Sequence, residues 1–407
     1  MMINRLIKVP LLSLSVISLL YILLGAMTAQ GATYYVATTG SDSNPGTSTS
    51  PWRNPQKCAA SPMKAGDTCI VRSGTYSPPS GKNVAVYVSA SSAAGTSSLP
   101  ITIKSEKPQG AVITLPNTTS TSNIGFYVTR SYYIIEGFDI TGGTISHSTV
   151  GFTGISIQST ATGAIARSNS MHHIGRTVCS NSPYSMSGIH VARASGAVIE
   201  ENRFYSIGRK RNGESGCSTD KFQHDHGIYV NGGSNVTIRR NVFYDTNRGF
   251  PIQIYGGTVT NLNVYHNTFS GRSPTGKPAG QIMLGSTINT AKIRNNISSD
   301  AQIGMINSWA LSGSNIAVSY NLSDTLMKTT SSVSGATFSS NMERTTPGFI
   351  SKSTNDFRLT SSSAAINRGT TSGVPVVPDG APDIAAYEYS LQSATSSPLT
   401  PTGVKVQ

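Results

Sequence analysis

Residues 237–246 read TIRRNVFYDT and residues 198–207 read VIEENRFYSI. Laid over each other, they give an alternating apolar run, then Asn241 or Asn202, then a second apolar stretch. The phrase returns as AIARSNSMHH (164–173), NVYHNTFSGR (263–272), AKIRNNISSD (291–300) and AVSYNLSDTL (317–326), which contribute Asn169, Asn267, Asn296 and Asn321. YIIEGFDITG (133–142) places Asp139 at the head of the series. Successive polar positions lie 25 to 39 residues apart. A period of that length, carried by short alternating runs and turns, describes a solenoid of β coils. Asparagine suits the corner because it tolerates the left-handed backbone and bonds nearby main chain. Stacked coil on coil, such side chains can bond one another as a ladder.

A second register lies 14 to 16 residues before most ladder positions: GISI at 154, GIHV at 188, GIYV at 227 and PIQI at 251. Its apolar residues alternate with a variable one, as a half-buried strand requires. If the Ile and Val of these runs point inward, then Ser156, His190, Tyr229, Gln253 and Met283 form one outward row. The same alternation predicts Asp225 and Gly227 on the outward face with Tyr229. The loops leading into this face, 172–186 and 206–224, are long and carry Cys179 and Cys217, so both cysteines fall on consecutive coils. A Cys179–Cys217 disulfide is expected, and a Cys58–Cys69 disulfide within the N-terminal region.

Composition agrees with an all-β chain. There are 40 glycines and only 12% charged residues, far from the Glu, Lys and Leu richness of helical proteins. Arg5 and Lys8 precede the apolar run LLSLSVISLLYILLGAM (11–27) and the small residues TAQGA, the order of a secretory signal peptide. Residues 1–31 are therefore read as a signal, and residues 391–407 as a disordered tail or linker. A secreted protein, extracellular or periplasmic, is expected, with no membrane partner after cleavage. Removing Arg5 and Lys8 from 31 basic residues leaves 29 against 18 acidic ones. In an exported chain this excess points to an anionic partner such as an acidic polysaccharide. No basic helix or aromatic–basic motif points to nucleic acid. A monomer is expected.

The repeat, with its opening YYVATTGSDSNPGTSTSPWRNPQKC (34–58) and KAGDTCIVRSGTY (64–76), resembles the right-handed parallel β-helix of secreted polysaccharide lyases and related carbohydrate-active proteins. The resemblance covers almost all of residues 32–390. It implies a single-stranded right-handed β-helix, with an N-terminal cap and first coils over 32–99 and a C-terminal edge in NDFRLTSSSAAINRGT (355–370) and PDIAAYEY (382–389). In lyases of the fold it further implies a Lys or Arg base, often with calcium held by clustered carboxylates. This sequence departs there: no Lys matches a lyase motif and no acidic cluster names a metal site, so Ca2+ stays open. The fold also hosts hydrolases, epimerases and non-catalytic binders.

The stretch QHDHGIYVNGG (223–233) sits at the middle of the predicted groove. β-Elimination at a uronate needs the carboxylate neutralised, a base for the C5 proton and an acid for the leaving oxygen. Arg248 is the candidate for the carboxylate. Lys221, His226 or Tyr229 would take the proton, and Tyr229 or His190 would protonate the leaving group. His190, His224, Gln253 and Lys277 are candidate substrate-binding residues, in a cationic trough that includes Arg209. A glycoside hydrolase would need two carboxyls, with Asp225 paired to Asp220, Asp245 or Glu214. A C5-epimerase would reuse the lyase groups. A non-catalytic glycan binder would rely on stacking aromatics such as Tyr127 and Tyr229. A zinc site of His190, His224 and His226 lacks a supporting spacing.

Overall fold

The computed structural model describes residues 31–120, 122–143, 145, 147, 149–219, 224–246, 249–271, 280–301, 304–328, 333, 335–372 and 381–389. All but the last residue of the predicted signal, the predicted tail, and Lys221, Arg248 and Lys277 lie outside the described residues.

Short alternating runs make short strands, and each coil contributes one strand to each of three faces. Among the described residues these strands form sheets of twelve, eight and nine, and every pairing within them is parallel. The molecule is a parallel β-helix, as the repeat predicts. Two 3-10 turns, Pro55–Ala59 and Glu214–Gly216, and one antiparallel pair, Phe349–Ser351 with Asp356–Leu359, stand outside this scheme. Inward Ile, Val and Phe of successive coils stack into one continuous core. Phe204, Phe243 and Phe269 show the pattern, ring on ring at 4.7 and 5.0 Å.

The asparagine ladder is real and longer than the sequence suggested. Each side-chain amide donates to the side-chain oxygen of the next coil, from Asn169 through Asn202, Asn241, Asn267, Asn296 and Asn321 to Asn341, at 2.9–3.1 Å. The same amide nitrogen also donates to a strand carbonyl, as Asn202 does to Ala166. Two details differ from expectation. Asp139 is one residue out of register: the main-chain nitrogen of Phe138 donates to Asn169 Oδ1, while Asp139 bonds His172. The left-handed residue is not the asparagine but the one before it: Ser168, Glu201, Arg240, His266, Asn295 and Tyr320 all have φ of 54–59°. The turn is made first, and the asparagine then closes it from inside.

Eight strands form the face that carries the candidate site: β1 (Val84–Val88), β2 (Ser122–Val128), β3 (Gly151–Gln158), β4 (Met186–Ala192), β5 (Asp225–Val230), β6 (Ile252–Tyr255), β7 (Ile282–Gly285) and β8 (Ile306–Ser308). Their pairing sets Tyr87, Tyr127, Ser156, His190, Tyr229, Gln253, Met283 and Asn307 in one row. The segments NDFRLT and PDIAAYEY pack on the outside of the nine-stranded sheet. Phe357 and Ala386 cover Val242 there, and the Ala386 nitrogen donates to Thr268 Oγ1.

Candidate active site

β5 does not alternate throughout. Ile228 and Val230 are core residues, so simple alternation would turn His226 inward and Asp225 outward. The reverse is seen: Asp225 is fully buried, and His226 lines a cleft with Tyr229, three residues on. β3 and β4 share the break, since Phe152 with Ile155, and Met186 with Ile189, are also core residues three apart. A glycine stands inside each interval: Gly154, Gly188 and Gly227. A β-carbon on Gly227 would lie 2.7 Å from the Pro251 carbonyl oxygen, and one on Gly188 2.7 Å from the Gly227 carbonyl oxygen. Only glycine lets the next coil approach this closely, and the column of glycines resets the inward–outward phase.

The predicted outward position of Asp225 is therefore corrected. Its carboxylate accepts from the Nε, Nη2 and main-chain nitrogen of Arg209 and from the Met186 main-chain nitrogen, at 2.8–3.1 Å. Both side chains of this ion pair are 0% exposed, so Arg209 also leaves the predicted cationic trough. Arg209 Nη1 donates to the Ser182 carbonyl, tying both long loops to the strand. The Cys179–Cys217 disulfide joins the same loops, and Cys58–Cys69 closes the N-terminal turn, as expected.

The cleft holds about 330 Å3 and is lined by Pro183, Ser185, His224, His226, Tyr229, Gln253, Tyr255, Met283 and Trp309. The rings of His226 and His190 each stack on Tyr229, with centroids 5.4 and 5.3 Å away. Burial drives the His226 imidazole down to about 3 and outweighs its hydrogen bond to the Phe250 main chain; His224, His190 and Arg209 press the same way. Burial alone brings His190 down to about 4. Both imidazoles are therefore neutral at pH 7. Burial, then Tyr255, raises the Tyr229 phenol above its usual value, so it keeps its proton. His226 Nδ1, His190 Nε2 and Gln253 Oε1 are buried and have no partner. His224 Nδ1 donates to the Pro183 carbonyl at 3.0 Å.

The structure thus brings together His190, His224, His226, Tyr229 and Gln253. No carboxylate is among the described residues of the cleft. Of the carboxyls considered for hydrolysis, Glu214 is paired with Arg176 at 2.7 Å and Asp245 lies on the nine-stranded sheet, accepting from Ser206. Asp220 lies outside the described residues. Among the described residues no three His, Cys, Asp or Glu side chains are grouped to hold a metal ion. The donor set present does not fit calcium, which favours six to eight oxygens. His190 and His226 share Tyr229 as a stacking partner.

Trp309, 61% exposed, and Tyr255 were not singled out in the sequence. A signal existed: Tyr255 stands two residues past the row position Gln253, and Trp309 two past Asn307, so both project from the far end of the same face.

Two family models match the chain: a "Pel9A-like, right handed beta helix region" over residues 34–222 and a "Right handed beta helix region" over 187–343. Among solved structures, pectate lyase Pel9A is 17% identical, with a TM-score of 0.54, over 89% of this chain and 97% of that one. A rhamnogalacturonan lyase is 18% identical (TM-score 0.45) over 79% of this chain and 91% of its own. A structure titled glycoside hydrolase is 8% identical (TM-score 0.47) over 77% and 97%. The comparison with curated sequences found no match. The chain is a right-handed parallel β-helix that resembles, in fold, the polysaccharide lyases built on the same solenoid.

Proposed function

We propose that this protein is a secreted carbohydrate-active β-helix that cleaves an acidic polysaccharide by β-elimination. The observation that carries the reading is one arrangement: a neutral His226 with an unpartnered Nδ1, stacked on a protonated Tyr229, in a cleft with no described carboxylate. Scaffold likeness is only analogy, since this fold hosts several chemistries. The side chains carry the argument.

A uronate seated over β5, displacing the side chains that cover His226 Nδ1, would present its C5 proton to that nitrogen. As that C–H bond breaks, its electrons form the C4=C5 double bond and the C4–O bond breaks. Tyr229 then gives its phenolic proton to the departing oxygen. Gln253 and His190 offer hydrogen bonds to the sugar. Trp309 and Tyr255 offer exposed faces for stacking. Carboxylate neutralisation is proposed for Arg248, the guanidinium that the sequence nominates, consistent with the basic excess of the chain. Two disulfides support an oxidising compartment. Among the described residues no helix is long and apolar enough to cross a membrane.

The test is ultraviolet absorbance with pectate, alginate and glycosaminoglycans, alongside a reducing-end assay. An unsaturated uronate should appear, and His226→Ala or Tyr229→Phe should each lower its rate by about a hundredfold or more. New reducing ends without absorbance would overturn elimination in favour of hydrolysis. The exposed Trp309 favours a second reading, a non-catalytic glycan binder, which binding without either product would support.

A further inference from the structure

A second cleft, of about 680 Å3, opens on the same sheet face nearer the N-terminus, and the elimination mechanism does not use it. Its floor is Tyr87 of β1 and Tyr127 of β2, packed edge-on with centroids 5.3 Å apart. Lys82, Asn83 and Ser122 stand at its rim. Tyr87 is 43% exposed for a reason visible in the backbone around it. The Gln56 side chain accepts from the Tyr87 main-chain nitrogen at 2.7 Å and donates to its carbonyl at 3.1 Å. An edge strand usually leaves such groups open to another strand. Here an amide fills them, from a helical turn, Pro55–Ala59, that the Cys58–Cys69 disulfide ties to the strand Thr68–Val71 of the twelve-stranded sheet. Tyr87 is thereby held as a fixed platform at the outer edge of the sheet.

Position makes this more than an isolated cleft. Tyr87 and Tyr127 open the same row that continues through Ser156 and His190 to Tyr229. Tyr127 and Tyr229 are three coils apart, about 14 Å at the usual strand spacing. Between them the row is polar: it holds Ser156, which accepts from Gln158 at 2.8 Å, and His190, whose ring lies against Tyr229. From the Tyr87 platform, one coil further out, the span to Tyr229 is about 19 Å, which a polymer bridges and a trimer does not. Lys82 is exposed and its ammonium makes no ion pair among the described residues, and no carboxylate lines the cleft.

We infer that Tyr87, Tyr127 and Lys82 form a distal subsite for the same acidic glycan chain, with a sugar face on Tyr87 and a uronate carboxylate near Lys82. The inference rests on the groove reading above. It makes the protein selective for chain length: polymers engage both clefts at once, and short oligomers only one.

Calorimetric binding of trigalacturonate and polygalacturonate, and of the matching alginate trimer and polymer, tests it on the full chain. The wild type should prefer the polymer of the glycan it binds. Tyr87→Ala should narrow that preference about tenfold, the usual consequence of removing a stacking aromatic anchor. Lys82→Ala, on an exposed loop that the fold does not depend on, should narrow it in the same direction and make it less salt-dependent. Tyr320→Ala, an exposed tyrosine at a coil corner away from the groove, should not. An unchanged preference in both Tyr87→Ala and Lys82→Ala would overturn the distal subsite and leave the groove reading intact. A wild type that binds none of the four glycans would overturn both.

Discussion

Asp225 shows how one residue's neighbours decide its task. In the sequence it is an acid between two histidines at the centre of a groove; in the structure it is committed on every side to Arg209 and the main chain. Removing one partner of a buried ion pair strands the other charge, at a cost of about 3–5 kcal/mol. Asp225→Ala should therefore lose stability of that order in urea unfolding. The double variant Asp225→Ala/Arg209→Met should recover much of it, because the stranded guanidinium is gone. Full stability in Asp225→Ala with activity abolished would return Asp225 to a chemical role. Gly227, two residues on, is the quieter determinant. Its missing side chain lets the strand change phase, and His226 reaches the cleft only because of that.

Strands and turns contribute at the next scale through the ladder. Asn241 Oδ1 accepts from both the main-chain nitrogen and the side-chain nitrogen of Asn202, and its own amide serves the Ile199 carbonyl and Asn267. All of these groups are in the dry interior, where each one left unpaired costs roughly 1–3 kcal/mol. Asn241→Ala should destabilise by at least that much. Hydrogen exchange should quicken first at the Asn202 amide, which loses its acceptor, while the Asn296 and Asn321 corners two and three coils away keep their protection. Uniform loss along the whole ladder would mean that the coils unfold as one unit and are not coupled neighbour to neighbour.

The whole molecule carries three buried imidazoles that burial holds neutral: His190 at about 4, and His226 and His266 at about 3. His266 lies beneath the C-terminal segment, with Arg240 and Arg239 lowering it and the Ala385 and Asp383 main chain partly opposing; Glu388 stands 4.0 Å away. Since each folded-state value is below the ordinary 6.5, the unfolded chain binds protons first as pH falls. The stability these groups contribute is complete above pH 6.5 and is lost as pH falls towards 4 and 3. The slope is about 1.4 kcal/mol per pH unit per imidazole once the unfolded histidine is protonated. Between pH 6 and 5 most carboxylates do not yet titrate, so the histidines dominate; Glu201, raised by burial and Glu200, works against the trend. The melting temperature should fall through this window. His226→Gln should remove about a third of the slope, and a melting temperature flat from pH 6.5 to 5 would contradict neutral burial. Activity should persist further into acid than an ordinary histidine base allows, failing near pH 4 where His190 protonates.

The sequence by itself determined the architecture, because a β-helix is written in local repeats. The Asn period, the alternation of GIHV and GIYV and the loop lengths each depend on residues close in the chain, and together they placed the row from Ser156 to Met283 and both disulfides. It also put His190, Tyr229 and Gln253 in one row with His224 and His226 nearby, since stacking at one register follows from the period. Alternation counted from Tyr229 failed at Asp225, because the glycine phase change is forced by contact with the next coil and leaves only a Gly in the text. Ladder register slipped at Asp139 for a similar reason: one residue decides which side chain faces in, and only the neighbouring coil reveals it. The neutrality of the histidines, the exposure of Trp309 and the fixed Tyr87 platform were decided by tertiary structure alone. Each depends on what surrounds a side chain, and those surroundings are supplied by residues twenty-five to forty positions away or more.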